Sequence, residues 1–310
     1  MTVIVPVPPS SGLWSDYMEL RQLEYFQLAA RLNSITKAAA HLHVAQPSVS
    51  VAIHKLEEEL GVTLFDRSQK QIVLTPEGRA FAIRADDILS RVQDAVVEMN
   101  DYRLLQKGSI KIGIPPMIGA FLFPHIIAQF QKVYPHFELI LTEEGTLSVR
   151  KQLERGELDV GIMITDNLPT ILSTAPITGG QLMVCLPHYH PLGAYSAIPF
   201  TLLREQPLIL FNEDAYSRQL IMAECQRNEF SPKIVLSSTQ IETILGLVEQ
   251  GVGISFLLDA ITRRHPRIQS RPLSDPLRIQ IGLVWNKDKY LSKAVKTFIS
   301  FCTETFPVLE

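Results

Sequence analysis

The stretch SITKAAAHLHVAQPSVSVAIHKL, residues 34–56, decides the fold of the N-terminal part of this chain. Its apolar residues recur at the three-and-four spacing of two short helices: Ala38, Ala39 and Leu42 in the first, and Val49, Ile53 and Leu56 in the second. Val44 fills the corner, and His43 falls in the turn, where a left-handed backbone is needed and His is enriched. The pattern predicts a helix-turn-helix, whose second helix enters the major groove of DNA. The alternative is a helical corner inside an ordinary globular domain.

The outward face of the second helix carries side chains that suit DNA. These are Gln46, Pro47, Ser48, Ser50, Val51, His54 and Lys55. Gln bonds adenine with two hydrogen bonds, Ser bonds a base or a phosphate, and Pro or Val contacts a thymine methyl group. Farther on, residues 64–67 and 72–74 predict two short strands of a wing, with Arg67 and Lys70 as phosphate ligands.

Composition limits the function classes. The chain of 310 residues has 46% hydrophobic and 20% charged residues, which is typical of a protein with two or three globular domains. The net charge is −3, and residues 18–76 hold as many acidic as basic residues, which counts against DNA binding. The acidic triplet Glu57–Glu59, however, lies at the far end of the second helix from Gln46.

Cysteines and apolar runs indicate the compartment. Cys185, Cys225 and Cys302 are widely spaced, which favours buried thiols in a reduced cytoplasm over a redox pair or a metal site. No apolar run reaches the roughly 18 residues that a membrane span needs. Residues 1–17 contain no Lys or Arg, unlike a signal peptide, so we expect a disordered leader or an upstream start before Met18.

A long helix is predicted to begin at Thr75–Pro76, since Thr is a good N-cap and Pro a good first residue. Its apolar residues repeat at spacings of four and three: Phe81, Ala85, Ile88, Val92, Ala95 and Met99. This is the seam of a coiled coil over about three heptads, which predicts a dimerisation helix. The alternative is a single helix packed on its own domain.

From Ser109 onwards, strands alternate with helices, which predicts an α/β fold with largely parallel sheets in two small lobes. The expected strands are 110–114, 137–141, 158–164, 182–186, 208–211, 234–236, 253–257 and 279–285. The expected helices are 119–134, 146–155, 217–228, 240–250 and 292–303.

With these residues in view, the chain resembles the LysR-type transcriptional regulators over residues 18 to about 305. The motifs that carry the resemblance are Met18–Phe26, the Ala38–Arg67 helix-turn-helix and wing, Leu74–Gly78, Gly108–Gly113, Tyr134–Pro135, Glu144–Gly145, Gly156–Asp159 and Gly251–Ile254. The resemblance implies a winged helix-turn-helix (18–75), a linker helix (76–107) and a two-lobed α/β effector domain similar to a type 2 periplasmic binding protein (108–310). Lobe I would comprise about 108–178 and 283–310, and lobe II about 179–282.

The resemblance also implies partners and contacts. Such proteins assemble as dimers of dimers, bind an interrupted promoter dyad in double-stranded DNA, and have RNA polymerase as a further candidate partner. The expected DNA contacts are Thr36, Lys37, Gln46, Pro47, Ser48, Ser50, His54, Lys55, Arg67 and Lys70. The sequence departs from the family at Ala45, where Ser or Thr often caps the second helix, and at Val51 and Ala52, where Arg or Gln is common.

The effector site is expected between the lobes, at loops that follow strand ends. The expected contacts are Pro116, Met117, Ile118, Gly119, Thr146, Thr239 and Gln240. Three helix N-termini would converge there, which suggests a small carboxylate as effector. Pro116 and Met117 replace the Ser or Thr that the family often has in the first loop, which favours a small or partly apolar ligand. Simple helix capping is the alternative for each loop.

Other classes fit less well. The sequence has no nucleophile elbow, no phosphate loop with Lys and no clustered metal ligands, so neither an enzyme nor a cofactor is predicted. His188 and His190 form a His-x-His pair without a nearby third ligand, which we interpret as a structural loop. An α/β enzyme with an accessory helical domain and a cytoplasmic small-molecule-binding protein remain the alternatives, but neither explains residues 18–106.

Overall fold

The computed structural model describes residues 18–67, 72–103 and 108–306, without the side chains of 100–103. These residues form two compact units that divide between Val96 and Val97. The predicted leader 1–17 and the wing tip with Lys70 lie outside the described residues.

The N-terminal unit is a winged helix-turn-helix, as predicted. Its elements are α1 (Leu20–Leu32), α2 (Ile35–His41), α3 (Gln46–Leu60), β1 (Phe65–Asp66), β2 (Val73–Leu74) and the part of α4 (Pro76–Arg103) up to Val96. The predicted inward residues of α2 and α3 are buried, with the exception of the half-buried Leu42. His43 adopts the expected left-handed conformation with φ 55°, and Gly61 ends α3 with φ 68°.

The helix ends of this unit follow their capping residues. The Ser34 side chain accepts a hydrogen bond from the Lys37 N–H at the start of α2. Thr75 Oγ1 accepts from the Gly78 N–H at 2.9 Å, which fixes the start of α4 as predicted. Ala45, at the N-cap of α3, contributes no side-chain hydrogen bond. This costs about 1 kcal/mol of helix stability relative to a Ser or Asp cap.

The C-terminal unit is α/β. Its strands are β3 (Ser109–Ile114), β4 (Glu138–Glu143), β5 (Val160–Ile164), β6 (Leu172–Leu186), β7 (Pro207–Phe211), β8 (Lys233–Ser238), β9 (Ser255–Leu258), β10 (Gln269–Pro272) and β11 (Arg278–Asn286). Its α-helices are α5 (Pro116–Gly119), α6 (Phe123–Val133), α7 (Thr146–Glu154), α8 (Tyr216–Arg227), α9 (Ile241–Glu249), α10 (Asp259–Thr262) and α11 (Lys293–Thr305).

The sheets correct the prediction of largely parallel pairing. A seven-stranded sheet has the order β10-β6-β11-β5-β3-β4, with β9 also paired to β6, and β7 and β8 form a separate two-stranded sheet. Pairs β3–β4, β3–β5 and β7–β8 are parallel, whereas β11–β5, β11–β6, β10–β6 and β9–β6 are antiparallel. The reason is that the chain crosses between the lobes on β6 and returns on β11.

Strands β6 and β11 join the two lobes. We use "lobe I" for β3–β5 with α5–α7 and α11, and "lobe II" for β7–β10 with α8–α10. The first half of β6 pairs with β11, and its last residues, Leu182–Leu186, pair with β9 and β10. The prediction gave only this last part as a strand, and it missed β10.

The helix predicted at 119–134 is also different in the structure. The chain first makes the short helix α5 and begins α6 only at Phe123. Pro124 lies in the first turn of α6, where its missing N–H does no harm, but it disfavours a helix that runs through from Gly119.

Candidate DNA interface and effector cleft

The start of α3 forms an open polar surface on the N-terminal unit. Gln46, Pro47 and Ser48 are exposed, and Ser50 is half-buried. Val51 on the same face exposes 67% of its surface. Thr36 and Lys37, at the start of α2, are exposed as well. The expected base-reading residues are therefore accessible to a partner.

Acidic neighbours accompany the basic residues farther along α3. His54 Nε2 lies 3.4 Å from Glu58 Oε1, and Lys55 Nζ lies 3.7 Å from Glu59 Oε1. His54, Lys55 and Glu58 are exposed and only Glu59 is largely covered, so these pairs contribute about 1 kcal/mol at most. A phosphate can therefore compete with these glutamates for both side chains.

Glu57 organises the start of the wing. The carboxylate is buried, and its Oε1 accepts hydrogen bonds from the Leu64 and Phe65 N–H groups at 2.8 and 3.1 Å. Its Oε2 accepts from Arg67 at 2.9 Å. Arg67, expected as a phosphate ligand, thus also holds the wing to α3.

Arg21 is a basic residue of this surface that the sequence did not single out. Its Nε donates to Tyr25 Oη at 2.7 Å, and its guanidinium lies 5.3 Å from the centre of the Tyr25 ring. A shallow depression of about 470 Å³ joins Arg21 and Tyr25 to Pro47, Ser48 and Val51 of α3. The i,i+4 Arg–Tyr spacing on α1 was the available signal in the sequence.

The predicted seam of α4 divides into two parts. Ala85 is fully buried and Phe81 and Ile88 are half-buried in the core of the N-terminal unit, with Phe81 packed edge-to-face on Phe26 at 5.2 Å. Farther along α4, Val92, Ala95 and Met99 are exposed, Met99 by 55%. The later half of the seam is therefore open for a partner helix.

The C-terminal unit contains a cleft between its lobes with a volume of about 640 Å³. Pro116, Thr239 and Gln240, three of the expected effector contacts, line it. Lobe I adds Ala120, Glu143, Glu144, Gly145 and Ser148, and lobe II adds Asp214, Ile241, Glu242 and His265. A cleft of this size suits a small molecule.

The other expected contacts lie deeper. Met117, Ile118 and Thr146 are buried and line a separate slot of only about 20 Å³. Gly119 lies against Glu143, since a side chain built on it would come within 3.4 Å of Glu143 Oε1. The structure thus brings about half of the predicted contacts to the cleft surface.

The starts of helices α5, α7 and α9 meet at this cleft, as expected, but neighbouring groups already occupy some of their N–H groups. In α5, the Ile118 and Gly119 N–H groups both donate to the Pro115 carbonyl. At α7, the Ser148 N–H donates to Asp214 Oδ1 at 3.1 Å and the Leu147 N–H donates to the Asp214 carbonyl at 3.2 Å. Asp214 therefore caps a lobe I helix from lobe II.

The third helix start carries an acidic side chain of its own. The Gln240 N–H before α9 donates to Ser238 Oγ at 3.0 Å. Glu242 lies in the first turn of α9, where a negative charge is favourable to the helix dipole. An anionic effector would therefore meet a carboxylate here too.

Burial also shifts pKa values in the C-terminal unit. Desolvation raises the pKa of Asp166. It also raises the pKa of Tyr216, and the negative charge of Asp166 raises that pKa further. All three thiols are buried, and desolvation raises the pKa to about 12 for Cys185 and Cys302 and to about 11 for Cys225. Such thiols are protonated and inert at neutral pH.

The His-x-His loop is held by other contacts. His188 Nε2 lies 3.0 Å from the Pro266 carbonyl oxygen, and His190 Nε2 lies 3.2 Å from Gln206 Oε1. The His190 Nδ1 also accepts from the Leu192 N–H. These contacts support the interpretation of a structural loop.

Comparison with known families settles the class of protein. Residues 20–79 match the bacterial regulatory helix-turn-helix protein, lysR family, and residues 104–307 match the LysR substrate binding domain. The chain belongs to the LysR family. It is therefore a LysR-type DNA-binding transcriptional regulator with a substrate-binding domain, as predicted.

Two relatives match this chain over nearly their full length. The HTH-type transcriptional regulator YwbI of Bacillus subtilis is 34% identical over 91% of this chain and 95% of its own length. The transcriptional dual regulator GltC of the same organism is 30% identical over 94% of this chain and 99% of its own length. Members of this family are regulators of transcription rather than enzymes in general.

Solved structures share the fold. A cysteine-to-aspartate variant of full-length OxyR from Pseudomonas aeruginosa superposes with a TM-score of 0.64 at 28% identity, over 93% of this chain and 95% of that one. CbnR complexed with its target DNA shows the same fold at 21% identity, with a TM-score of 0.63 over 93% and 100% of the two chains. Among the described residues of this regulator, no helix is long and apolar enough to cross a membrane.

Proposed function

We propose that this regulator reads an interrupted dyad in promoter DNA through the first turns of α3, as a homodimer joined by α4 and assembled as a dimer of dimers. The observation that carries the proposal is the exposed group Gln46, Pro47 and Ser48 at the start of α3, where the N-cap residue Ala45 provides no side-chain hydrogen bond. The positive end of the α3 dipole attracts phosphate at such a position. Since Pro47 has no N–H and the Ser48 N–H donates to the Ala45 carbonyl, the attraction comes from the dipole and the exposed side chains.

The flanking residues supply phosphate contacts in this proposal. Thr36 and Lys37 approach the backbone from α2, and Arg67 approaches it from the wing while it keeps its bond to Glu57. Arg21 adds a charge on α1 beside Pro47 and Ser48. His54 and Lys55 exchange their glutamate partners for phosphate, which gives a salt-dependent affinity.

Dimerisation through α4 doubles this otherwise nearly neutral DNA surface. Val92, Ala95 and Met99 are exposed and keep the three-and-four spacing of a coiled-coil seam. Val96, 51% exposed, broadens the apolar stripe. Two copies of α3 would then contact half-sites one helical turn or a multiple of it apart.

The cleft of the C-terminal unit is the proposed effector site. A small molecule that contacts both lobes stabilises one lobe arrangement over others, and it shifts the population of assemblies that bend DNA differently. RNA polymerase is the proposed downstream partner. Since the proposed target is promoter DNA, we place the regulator in the cytoplasm.

A mobility-shift titration tests the proposal directly. The full-length protein is titrated onto the DNA upstream of its own gene and onto a scrambled fragment of equal length, at about 50 and 200 mM salt. We expect tighter binding to the upstream fragment and a steep loss of affinity at the higher salt. Equal binding to both fragments, or a shift that does not change with salt, would contradict the proposal.

A further inference from the structure

The charge of the cleft between the lobes indicates which ligand it takes. This inference rests on the proposed function of the cleft as the effector site, and it concerns the ligand that the site selects. Four carboxylates line the cleft, Glu143 and Glu144 from lobe I and Asp214 and Glu242 from lobe II. The lining residues include no Lys or Arg, and His265 is the one basic side chain among them.

The carboxylates occupy the places where an anion would bind. Glu143 Oε1 lies against Gly119 of the first loop. The Asp214 carboxylate covers Gly145 and accepts the Ser148 N–H at the start of α7. An anionic effector bound at the start of α7 would have to displace Asp214, and at α5 or α9 it would meet Glu143 or Glu242. The structure therefore argues against the small carboxylate that the sequence suggested.

Two of the carboxylates are available to a ligand. Glu144 accepts a hydrogen bond from Gln152 at 2.7 Å, and Asp214 is the cap of α7. Glu143 and Glu242 have no side-chain hydrogen bond or ion pair within residues 18–67, 72–103 and 108–306. They come from opposite lobes, and both face a cleft of about 640 Å³.

We propose that the effector is a small organic cation, such as an aliphatic diamine, that binds Glu143 and Glu242 through its ammonium groups. A dication held by one carboxylate from each lobe links the lobes directly. This gives the ligand a differential affinity for the closed arrangement, which is the requirement for a population shift. Pro116, Ala120 and Ile241 provide apolar contact for the carbon chain.

Two probes of equal length but opposite charge test this proposal. Putrescine has an ammonium group at each end of a four-carbon chain, and succinate is a four-carbon chain with two carboxylates. Isothermal titration calorimetry on the full-length protein without DNA, at about 150 mM salt, is expected to show putrescine binding at least tenfold more tightly than succinate. The midpoint temperature of thermal unfolding should rise with putrescine and not with succinate.

Variants locate the binding. In Glu143→Gln, Glu242→Gln and the double variant, which keep side-chain size, putrescine affinity should fall at least tenfold. Glu205→Gln removes an exposed carboxylate outside the cleft and should leave it unchanged. Succinate binding without putrescine binding, binding of neither probe, or equal putrescine affinity in the double variant would overturn the proposal. Circular dichroism confirms folding, and the single variants replace the double variant if it is unfolded.

The cationic effector and the proposed DNA binding can be rejected independently of each other. DNA binding by the mobility-shift titration uses no ligand. A salt-dependent shift together with no putrescine binding rejects the cationic effector and keeps the regulator. Putrescine binding without any DNA shift rejects the proposed DNA-binding mode and keeps the cation site.

Discussion

Helices α3 and α7 begin in opposite ways, although the sequence predicts a bound anion at the start of each. Helix α3 starts after Ala45, whose side chain makes no capping hydrogen bond, and Gln46 and Ser48 are exposed there. Helix α7 starts after Gly145, and Asp214 from the other lobe already fills its anion position. A helix N-terminus is thus a site for an external anion only where the chain itself leaves it open.

The largest expected effect comes from a charge at the open helix. Ser48→Glu should lower DNA affinity about 100-fold, because the new carboxylate faces phosphate at an exposed position and leaves the core intact. Ser300→Glu makes the same change on an exposed position of α11 and is the matched control. Fluorescence anisotropy on the upstream DNA measures both. Affinity within threefold of the unaltered protein for Ser48→Glu would mean that α3 does not face DNA.

A side chain at the closed helix should disturb its cap. The Cβ of Gly145→Ala would overlap the Asp214 carboxylate, so the cap must move. We expect the free energy of unfolding of the C-terminal unit to fall by about 2 kcal/mol, because the cap is lost and the site is overpacked. Gly246→Ala in α9, which has nothing within 4 Å of its new Cβ, should be neutral or stabilising.

Calorimetry of the two alanine variants measures these changes. An Asp214→Ala variant and the Gly145→Ala/Asp214→Ala double variant complete a mutant cycle. The double variant should be much less destabilised than the sum of the two single variants, because each change removes the same contact. Simple additivity would show that Asp214 does not hold α7.

A capping side chain introduced at the start of α3 should change the stability of the N-terminal unit and its DNA affinity in opposite directions. Ala45→Asp should stabilise the N-terminal unit by about 1 kcal/mol through a new cap. The added carboxylate should also lower DNA affinity about tenfold, since it repels phosphate. Ala45→Asn supplies a cap of the same size without charge, so it should stabilise similarly with affinity almost unchanged. Equal affinities for the two variants would refute an anion-binding role for this end.

The smallest expected effect concerns the thiols of the C-terminal core. With pKa values of about 12 for Cys185 and Cys302 and about 11 for Cys225, the native thiols should not react with a disulfide reagent at pH 8, whereas all three should react after denaturation. Burial raises the pKa of each thiol in the folded state above its value in the unfolded state. The protonated thiols therefore contribute fully to the free energy of unfolding below about pH 9, and this contribution is lost as the pH rises towards 12. Rapid reaction of one native thiol would indicate an accessible redox site.

The sequence predicted the features that depend on short-range spacing. The packing of Ala38, Ala39, Val49 and Ile53, the left-handed His43 and the Thr75 cap all follow from residues within a few positions of one another. The exposed face of α3 follows directly, because each inward residue fixes its outward neighbours.

The missed features depend on contacts between distant parts of the chain. Asp214 caps α7 from 66 residues away, and nothing near Thr146 indicates it. In the sequence, Glu57 cannot be distinguished from the two acidic residues that follow it. In the structure it is buried, and its carboxylate accepts hydrogen bonds from the Leu64 and Phe65 N–H groups. Strand β6 extends through Pro176 and Gly179, which are unfavourable in strands, because β11 pairs with it along its first part.

The central claim, that an acidic cleft beside α7 controls DNA binding by α3, is tested most directly by measuring operator affinity with each probe present. The full-length regulator is titrated onto its upstream DNA by fluorescence anisotropy, alone, with putrescine and with succinate. The Glu143→Gln/Glu242→Gln variant serves as a control for putrescine bound to DNA. We predict that putrescine changes the Kd at least threefold in the unaltered protein but not in the variant, and that succinate changes neither. A change with succinate, or an equal putrescine effect in both proteins, would contradict the account.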